Sequence, residues 1–475
     1  MIKELAELLG KHGFSLYPQS LRVTEDGTKL FVARRAGQKA VGVLQAQRRL
    51  ALSSSVLEGV RLSSGDAASL HALTWENYEK LKSVAPIAPS PCDGKASFGT
   101  GDRLGLVSAA HLDALSRYPV FPVIAQQSPR ELARTRRDFR DVLLDAVMGV
   151  LESGCAGPFG ADADHIKDEE HLMAGAEAGY SMYTLDVSDW LQDPGASPAD
   201  QLSQLSRRII SDCAGMELAT ACGESPEISE EKLLTSALMY EKALEQVKHF
   251  HGLLGGVIRN FDLEVSIDES ARDTTPEDHL FVAEYLHRSG IDFTSLAPKF
   301  PGQFQKGVDY AGDVTALARS LHGHTALCRE IGGYRLSLHS GSDKFSIYPL
   351  FAEITEGRFH VKTSGTSWLQ AVKVIASVDA SLFRELYALC LENLDESKKA
   401  YHVSITKEQF PAEPPDGLSA FLARPDVRQL VLISYGALLD EKRDQIYDTL
   451  HRHEEEHCAS VARHIERHLG MLFPG

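Results

Sequence analysis

Positive charge is in short supply. Lys and Arg number 49 against 66 Asp and Glu in 475 residues, a formal net charge of −17. A surface that binds polyanions needs the opposite balance, so general nucleic-acid binding is excluded. Long apolar runs are missing as well. No stretch approaches the roughly 18 residues of a membrane span, which excludes a membrane partner. The seven cysteines (92, 155, 213, 222, 328, 390 and 458) are odd in number, scattered and without a C-x-x-C pair. That argues against a disulfide scaffold and for a reducing, cytoplasmic location. The first residues, MIKELAELLGKHGF, lack the basic-then-apolar layout of a signal peptide. They read as an amphipathic helix with Leu5, Leu8 and Leu9 on one face. No G-x-S-x-G elbow occurs and no cysteine has a defined basic neighbour, so acyl-transfer chemistry has no support. What is present is 43% hydrophobic residues, enough in a chain this long for a large core.

A proline- and glycine-bearing stretch, VAPIAPSPCDGKAS at 84–97, can be neither helix nor strand interior and marks the first boundary. Before it, residues 1–90 read as an α+β extension with strand-like patches at Leu30–Ala33 and Val41–Leu44. Beyond it, short apolar or alternating runs recur at 96–106, 120–127, 157–166, 180–188, 261–270, 291–300, 334–342 and 358–365. Amphipathic stretches such as Pro129–Glu152, Pro276–Arg288 and Val314–Glu330 separate them. Strands alternating with helices mean βαβ units, and eight of them predict an α/β fold, a (β/α)8 TIM barrel over 96–405. Residues 190–255 read as a helical insertion, a lid or a dimer contact. Residues 406–475 read as a C-terminal extension ending in a polar helix.

Barrel chemistry collects at the carboxyl ends of the strands, and there each candidate strand carries polar or ionisable residues. Arg103, Gln126, Asp162, Asp164, His165, Asp186, Glu264, Lys299, His339 and Lys362 are among them. His165 and His339, with neighbouring carboxylates, point to a divalent metal site suited to Mn²⁺, Zn²⁺, Co²⁺ or Fe²⁺ rather than Ca²⁺. In Leu263–Asp268 the odd positions are apolar and face the helices, so Glu264 is directed inward. Desolvation there would raise its pKa for acid–base work, and the alternative is a buried ion pair with Lys362. Two other patterns carry less. His453-Glu-Glu-Glu-His457 formally matches H-E-x-x-H but sits among charges, and reads as a solvated helix face. Gly99-Thr-Gly-Asp-Arg-Leu-Gly105 has the wrong spacing for a dinucleotide fingerprint.

The segments FGTGDRLG, FGADADHIK, EVSIDE, SLAPKF…FQKGVDY, LSLHSGSDKFSIYP and HVKTSGTS carry a resemblance over about residues 97–405. There the chain resembles the tagaturonate/fructuronate epimerase family of bacterial hexuronate catabolism. The resemblance implies a metal-dependent isomerase that interconverts D-tagaturonate and D-fructuronate when galacturonate or glucuronate serves as a carbon source. It implies metal ligation by His165, His339 and Gln305, with Mn, Zn, Ni, Co or Fe as the divalent cation. It makes Asp164 the base, and Glu264, with Glu269 beside it, the acid. The uronate would then be held by Arg103, Lys299, Lys306 and Lys362, with Ser340 at the same site. The substrate implies the route: the inverted carbinol carbon lies one position beyond the carbon alpha to the ketone, so its C–H is not acidic. Retro-aldol cleavage to a metal-stabilised enediolate, followed by re-addition, is expected. A sugar-acid isomerase or class II-type aldolase on the same barrel, and a non-catalytic sugar-acid-binding protein, are the alternatives; a homo-oligomer is left open.

Overall fold

Segments whose alternate residues are apolar become strands. A computed structural model describes residues 1–474 apart from 26, 45–49, 51, 53–67, 93, 95, 196–198, 225, 400 and 402. Parts of the 84–97 boundary, of the first insertion helix and of the AYHVSI stretch therefore lie outside the described residues. Four N-terminal strands, β1 (Ser15–Val23), β2 (Lys29–Arg35), β3 (Gln38–Leu44) and β4 (Ala68–His71), pair antiparallel in chain order. Their period of two serves two cores. Phe31 and Ala33 pack with Leu5 and Leu9 of the helix Ile2–Gly10, whereas Leu30 and Val32 face the main core. Gly42 is required here, since a Cβ would lie 2.0 Å from the Phe31 ring.

Eight parallel strands then close a barrel in the order β10-β11-β12-β5-β6-β7-β8-β9. They are β5 (Ser97–Thr100), β6 (Phe121–Gln127), β7 (Gly160–Ile166), β8 (Met182–Asp186), β9 (Asp262–Ser266), β10 (Ser295–Ala297), β11 (Arg335–Leu338) and β12 (Phe359–Thr363). Each falls within one of the eight runs read from the sequence. Leu263, Val265, Leu336, Leu338 and Val361 join the apolar layer under the helices. The intervening polar residues point inward, as the reach of Lys362 on β12 across to β7, β8 and β9 demonstrates. Local signals set the surrounding helices. Phe139–Ser153 starts on an Asp138/Asp141 capping box and stops at Gly154 in the left-handed region. Pro276–Arg288 starts on a Thr275/Asp278 box with Pro276 in its first turn.

Two expectations change on contact with the fold. Of the helices in 190–255, Glu230–Gly255 packs against Glu169–Glu177 and Pro276–Arg288 and buries Leu233, Ala237, Tyr240, Leu244 and Val247. It is the barrel's own crossover between β8 and β9, which a parallel pair requires; Gln204–Cys213 is the added element. The final helix Glu454–Leu472 is polar in composition but buries Val461, Ile465, Leu469 and Leu472 in the main core. His457, expected on a solvated face, is 2% exposed, and His453 lies outside that helix as its N-cap, so the H-e-e-e-H pattern does not form one helical face. Among the described residues no helix is long and apolar enough to cross a membrane, and all seven cysteines are free.

Candidate active site at the carboxyl end of the barrel

Lys362 stands at the centre of the barrel with its ammonium 2.8 Å from Asp162 Oδ2, 2.7 Å from Asp164 Oδ1 and 2.9 Å from Glu264 Oε1. It also donates to Thr184 Oγ1, which in turn donates to Asp162 Oδ1 at 2.9 Å. All five residues are buried. The ion-pair alternative for Glu264 is therefore the one observed. Burial pushes the Glu264 carboxyl up, but Lys362 and His339 outweigh it and hold it well below the usual range, which corrects the expectation of a raised pKa. Asp164 is likewise held well below its ordinary value: burial acts against ionisation, and the His165 and Lys362 charges overcome it. Asp162, with two carboxylates for neighbours, is pushed up to about 6 by burial and their repulsion.

Above this floor the two histidines converge. His165 donates from Nδ1 to Asp164 Oδ1 at 2.7 Å, and His339 donates from Nε2 to Glu264 Oε1 at 2.5 Å. Each imidazole thus has one nitrogen tied to a buried carboxylate, and the ring centres lie 5.0 Å apart. Asp268 completes the group, its Oδ1 at 3.3 Å from His339 Nδ1, and Ser266 donates to that oxygen at 2.5 Å. One ligand atom from each of His165, Asp268 and His339 lies within 4.8 Å of the others. Burial depresses the His339 pKa, but Asp268 and Glu264 push it up to about 10. The backbone is bent to achieve this: His165 (φ 54°), Ser340 (φ 50°) and Asp343 (φ 59°) adopt left-handed conformations at the ends of β7 and β11. Such strain in residues with a side chain is held in place only where the surroundings over-determine it.

Two other carboxylate–histidine groups already have a cation beside them. Asp343, His464 and His468 are closed on one another and on Arg428, which lies 2.6 Å from Asp343. Beside the group of His165, Asp186 and Glu269, Lys167 stands 3.4 Å from Asp186 and 3.9 Å from Glu269. Among the described residues, the group with Asp268 combines convergent ligand atoms with an excess of carboxylates: Asp162, Asp164 and Glu264 share Lys362, and Asp268 adds a fourth beside His339. Two imidazole nitrogens and a carboxylate oxygen suit a divalent first-row transition metal, and the buried carboxylates behind the rings are the usual means of orienting such ligands.

A cavity of about 530 Å³ opens over this group, lined by Asp268, Glu269, Lys299, Gln305, Lys306, His339 and Ser340. A smaller one of about 230 Å³ lies on the His165 side and shares Glu269. A larger groove of about 740 Å³ between residues 34–37 and 448–456 lies apart from all of these residues. The fold thus brings together His165, His339, Glu269, Lys299, Lys306 and Ser340, but it corrects three assignments. Arg103 is buried, donates to Glu131 Oε1 at 2.9 and 3.1 Å and to the Leu432 carbonyl at 3.1 Å, and is thereby engaged in the fold rather than by a substrate. Lys362 is spent on the floor carboxylates. The Gln305 carbonyl oxygen accepts from Gln429 at 2.9 Å, so it is not an uncommitted metal ligand. Asp268, not among the residues singled out from the sequence, stands with the two histidines; it is in phase with Glu264 and Ser266, and that alternation was the available signal.

A family profile described as UxaE, tagaturonate epimerase, matches residues 17–472. The tagaturonate/fructuronate epimerase of Thermotoga maritima is 40% identical over 408 residues, covering 84% of this chain and 85% of that protein. The native crystal structure of fructuronate-tagaturonate epimerase UxaE from Cohnella laeviribosi superposes with a TM-score of 0.89 at 31% identity, covering 99% of both chains. The same protein with one glycerol bound gives the same TM-score.

Proposed function

The chain belongs to the tagaturonate epimerase family and is an enzyme of the isomerase class; from that premise we propose how its own residues interconvert D-tagaturonate and D-fructuronate. The observation that carries the reading is the convergence of His165, Asp268 and His339 beneath a cavity at the barrel mouth. These three residues would hold a divalent cation, with Asp164 and Glu264 fixing the two rings. A bound cation there supplies Lewis-acid polarisation of the substrate's ketone and hydroxyl oxygens. Asp164 and Glu264 are poor proton acceptors because neighbouring cations stabilise their ionised forms. Glu269, whose side chain is 49% exposed and lines both cavities, is the better shuttle.

In the forward direction Glu269 takes the proton of the hydroxyl on the inverting carbon. The C–O electrons form an aldehyde, and the adjacent C–C bond breaks to leave an enediolate. The aldehyde turns over, the bond re-forms on its other face, and Glu269 returns the proton to the new alkoxide. Lys306 and Ser340, which line the same cavity, hold substrate oxygens during the turn, and Lys299 beside them is anchored to the Ser270 carbonyl. The free cysteines fit a reducing compartment, and we place the enzyme in the cytoplasm.

The test is an epimer assay with D-tagaturonate after exhaustive chelation and after added Mn²⁺. Turnover should vanish and return; full activity without metal would remove the cation from the reading. Substrate deuterated at the inverting carbon should keep its label, and washout into solvent would favour direct proton transfer instead.

A further inference from the structure

The segment between β10 and the helix Val314–Ile331 brings Gln305 and Lys306 to the cavity over His339. A loop delivers a side chain to one place only if its own backbone is held by the scaffold. Here the main-chain carbonyls of four successive residues are each taken by a side chain from elsewhere in the chain. Lys344 donates to the Gln305 carbonyl at 3.0 Å and to the Val308 carbonyl at 2.7 Å. Gln429 donates to the Lys306 carbonyl at 3.2 Å, and Arg428 to the Gly307 carbonyl at 3.0 Å.

The three donors are themselves fixed. Lys344 is fully buried and gives its third proton to the Ser342 carbonyl at 3.0 Å, which uses all the donors an ammonium has. Arg428 also reaches Asp343 at 2.6 Å, and His464 of the final helix lies 2.6 Å from the same carboxylate. Gln429 is buried and its amide donates to the Gln305 side-chain oxygen as well, at 2.9 Å. Arg428 and Gln429 sit on the helix Pro425–Ile433, in the chain beyond the barrel, whereas Asp343 and Lys344 lie in the loop after β11 that also carries His339. Gly307 is seated on that helix in a left-handed conformation (φ 77°), where a Cβ would lie 3.2 Å from Leu432.

Within this clamp the Lys306 side chain is what remains to act. It lines the cavity, and among the described residues no hydrogen bond or ion pair engages its ammonium. A lysine is a point charge on a flexible stem, so where that charge arrives depends on where its backbone is held.

We propose that Gln429 and Arg428, together with Lys344, are positioning residues that hold the 305–308 backbone and so present the Lys306 ammonium to the substrate. The chain beyond the barrel is thereby part of the substrate site. The assignment rests on the reading above, in which Lys306 holds substrate oxygens.

Lys306→Ala, Gln429→Leu, Gly307→Ala and the double variant Lys306→Ala/Gln429→Leu are compared, with added Mn²⁺, for KM and kcat on D-tagaturonate. Lys306→Ala should raise KM about tenfold, the loss of one charge-assisted hydrogen bond. Gln429→Leu should raise it about three- to fivefold with kcat within about twofold. Gly307→Ala, which lifts the loop from the helix, should do the same and keeps the test open if Gln429→Leu does not fold. The double variant should exceed Lys306→Ala by less than about twofold, because Gln429 then has nothing left to position. An unchanged KM in any single variant, or losses that multiply in the double variant, would overturn the assignment. Hydrogen exchange over residues 303–309 without substrate gives a second reading: Gln429→Leu should speed it about tenfold or more, and a wild-type rate would overturn the clamp. A wild-type enzyme that leaves D-tagaturonate unconverted would count against the proposed function, and the exchange comparison would still decide the clamp.

Discussion

The floor and the rim of the barrel mouth share strands β7 and β9 and are both rich in carboxylates, yet they are chemically opposite. On the floor, Lys362 meets Asp162, Asp164 and Glu264, and Thr184 bridges two of these residues. On the rim, His165, Asp268 and His339 converge from the ends of three strands, with their remaining donor atoms directed at one another. The floor is a support whose carboxylates already share a cation, and the rim is where a ligand can be added. A polar residue pointing into a barrel is therefore not catalytic on that account; what matters is whether its neighbours have already consumed its hydrogen-bonding capacity.

The sharpest way to break this contrast is on the rim. His165→Ala and His339→Ala should each lower turnover roughly a thousandfold or more by removing a ligand, with metal content falling and thermal unfolding almost unmoved. Retained metal and activity in either variant would dissolve the distinction. Lys362→Met attacks the floor, leaving three carboxylates in the barrel without their cation; the expected cost is about 3–5 kcal/mol of unfolding free energy, read by urea denaturation. Unchanged stability would mean that the floor is not held electrostatically. Asp164→Asn joins the two layers, because it loosens His165 without removing it. Metal affinity in a chelator competition should drop about 10- to 100-fold, less than for His165→Ala.

The smallest effect contrasts the mouth with the surrounding helices. His339 is driven up to about 10 by carboxylates, but His111 and His324 are pushed down to about 4 chiefly by burial. A histidine that folds neutral contributes stability that is complete above its unfolded pKa near 6.5 and is lost as pH falls toward 4. At pH 5 each should cost about 2 kcal/mol, and His111→Gln or His324→Gln should flatten the fall in urea midpoint between pH 7 and pH 5. A midpoint that holds steady over that range in the wild type would contradict the buried-neutral assignment.

Much of this architecture is legible along the chain. The eight strands announce themselves because a parallel barrel strand needs apolar residues toward its helices and tolerates polar ones only inside. His165, His339 and Glu269 stand out because chemistry in such a barrel gathers where the strands end. Arg103 shows the limit. It stands at the end of β5 like any active-site cation, but Glu131, 28 residues on, reaches it through the helix that follows β6. Arg130 and Tyr401 are far apart in sequence and meet only because the chain beyond the barrel returns to its mouth. The polar final helix misleads for a related reason: its apolar stripe is narrow, yet it is enough to enter the main core.

Composition, periodicity and strand-end position thus determined the barrel and the two imidazoles that meet at its mouth. These follow from alternation along a single strand, which is a local property of the chain. Tertiary structure alone decided which charges serve the fold and which line the cavity: that Lys362 and Arg103 support the barrel, and that Asp268 stands with the histidines. That division depends on partners brought close across the barrel, where burial leaves a charge no water to fall back on, and no pattern along the chain encodes which residue will be the partner.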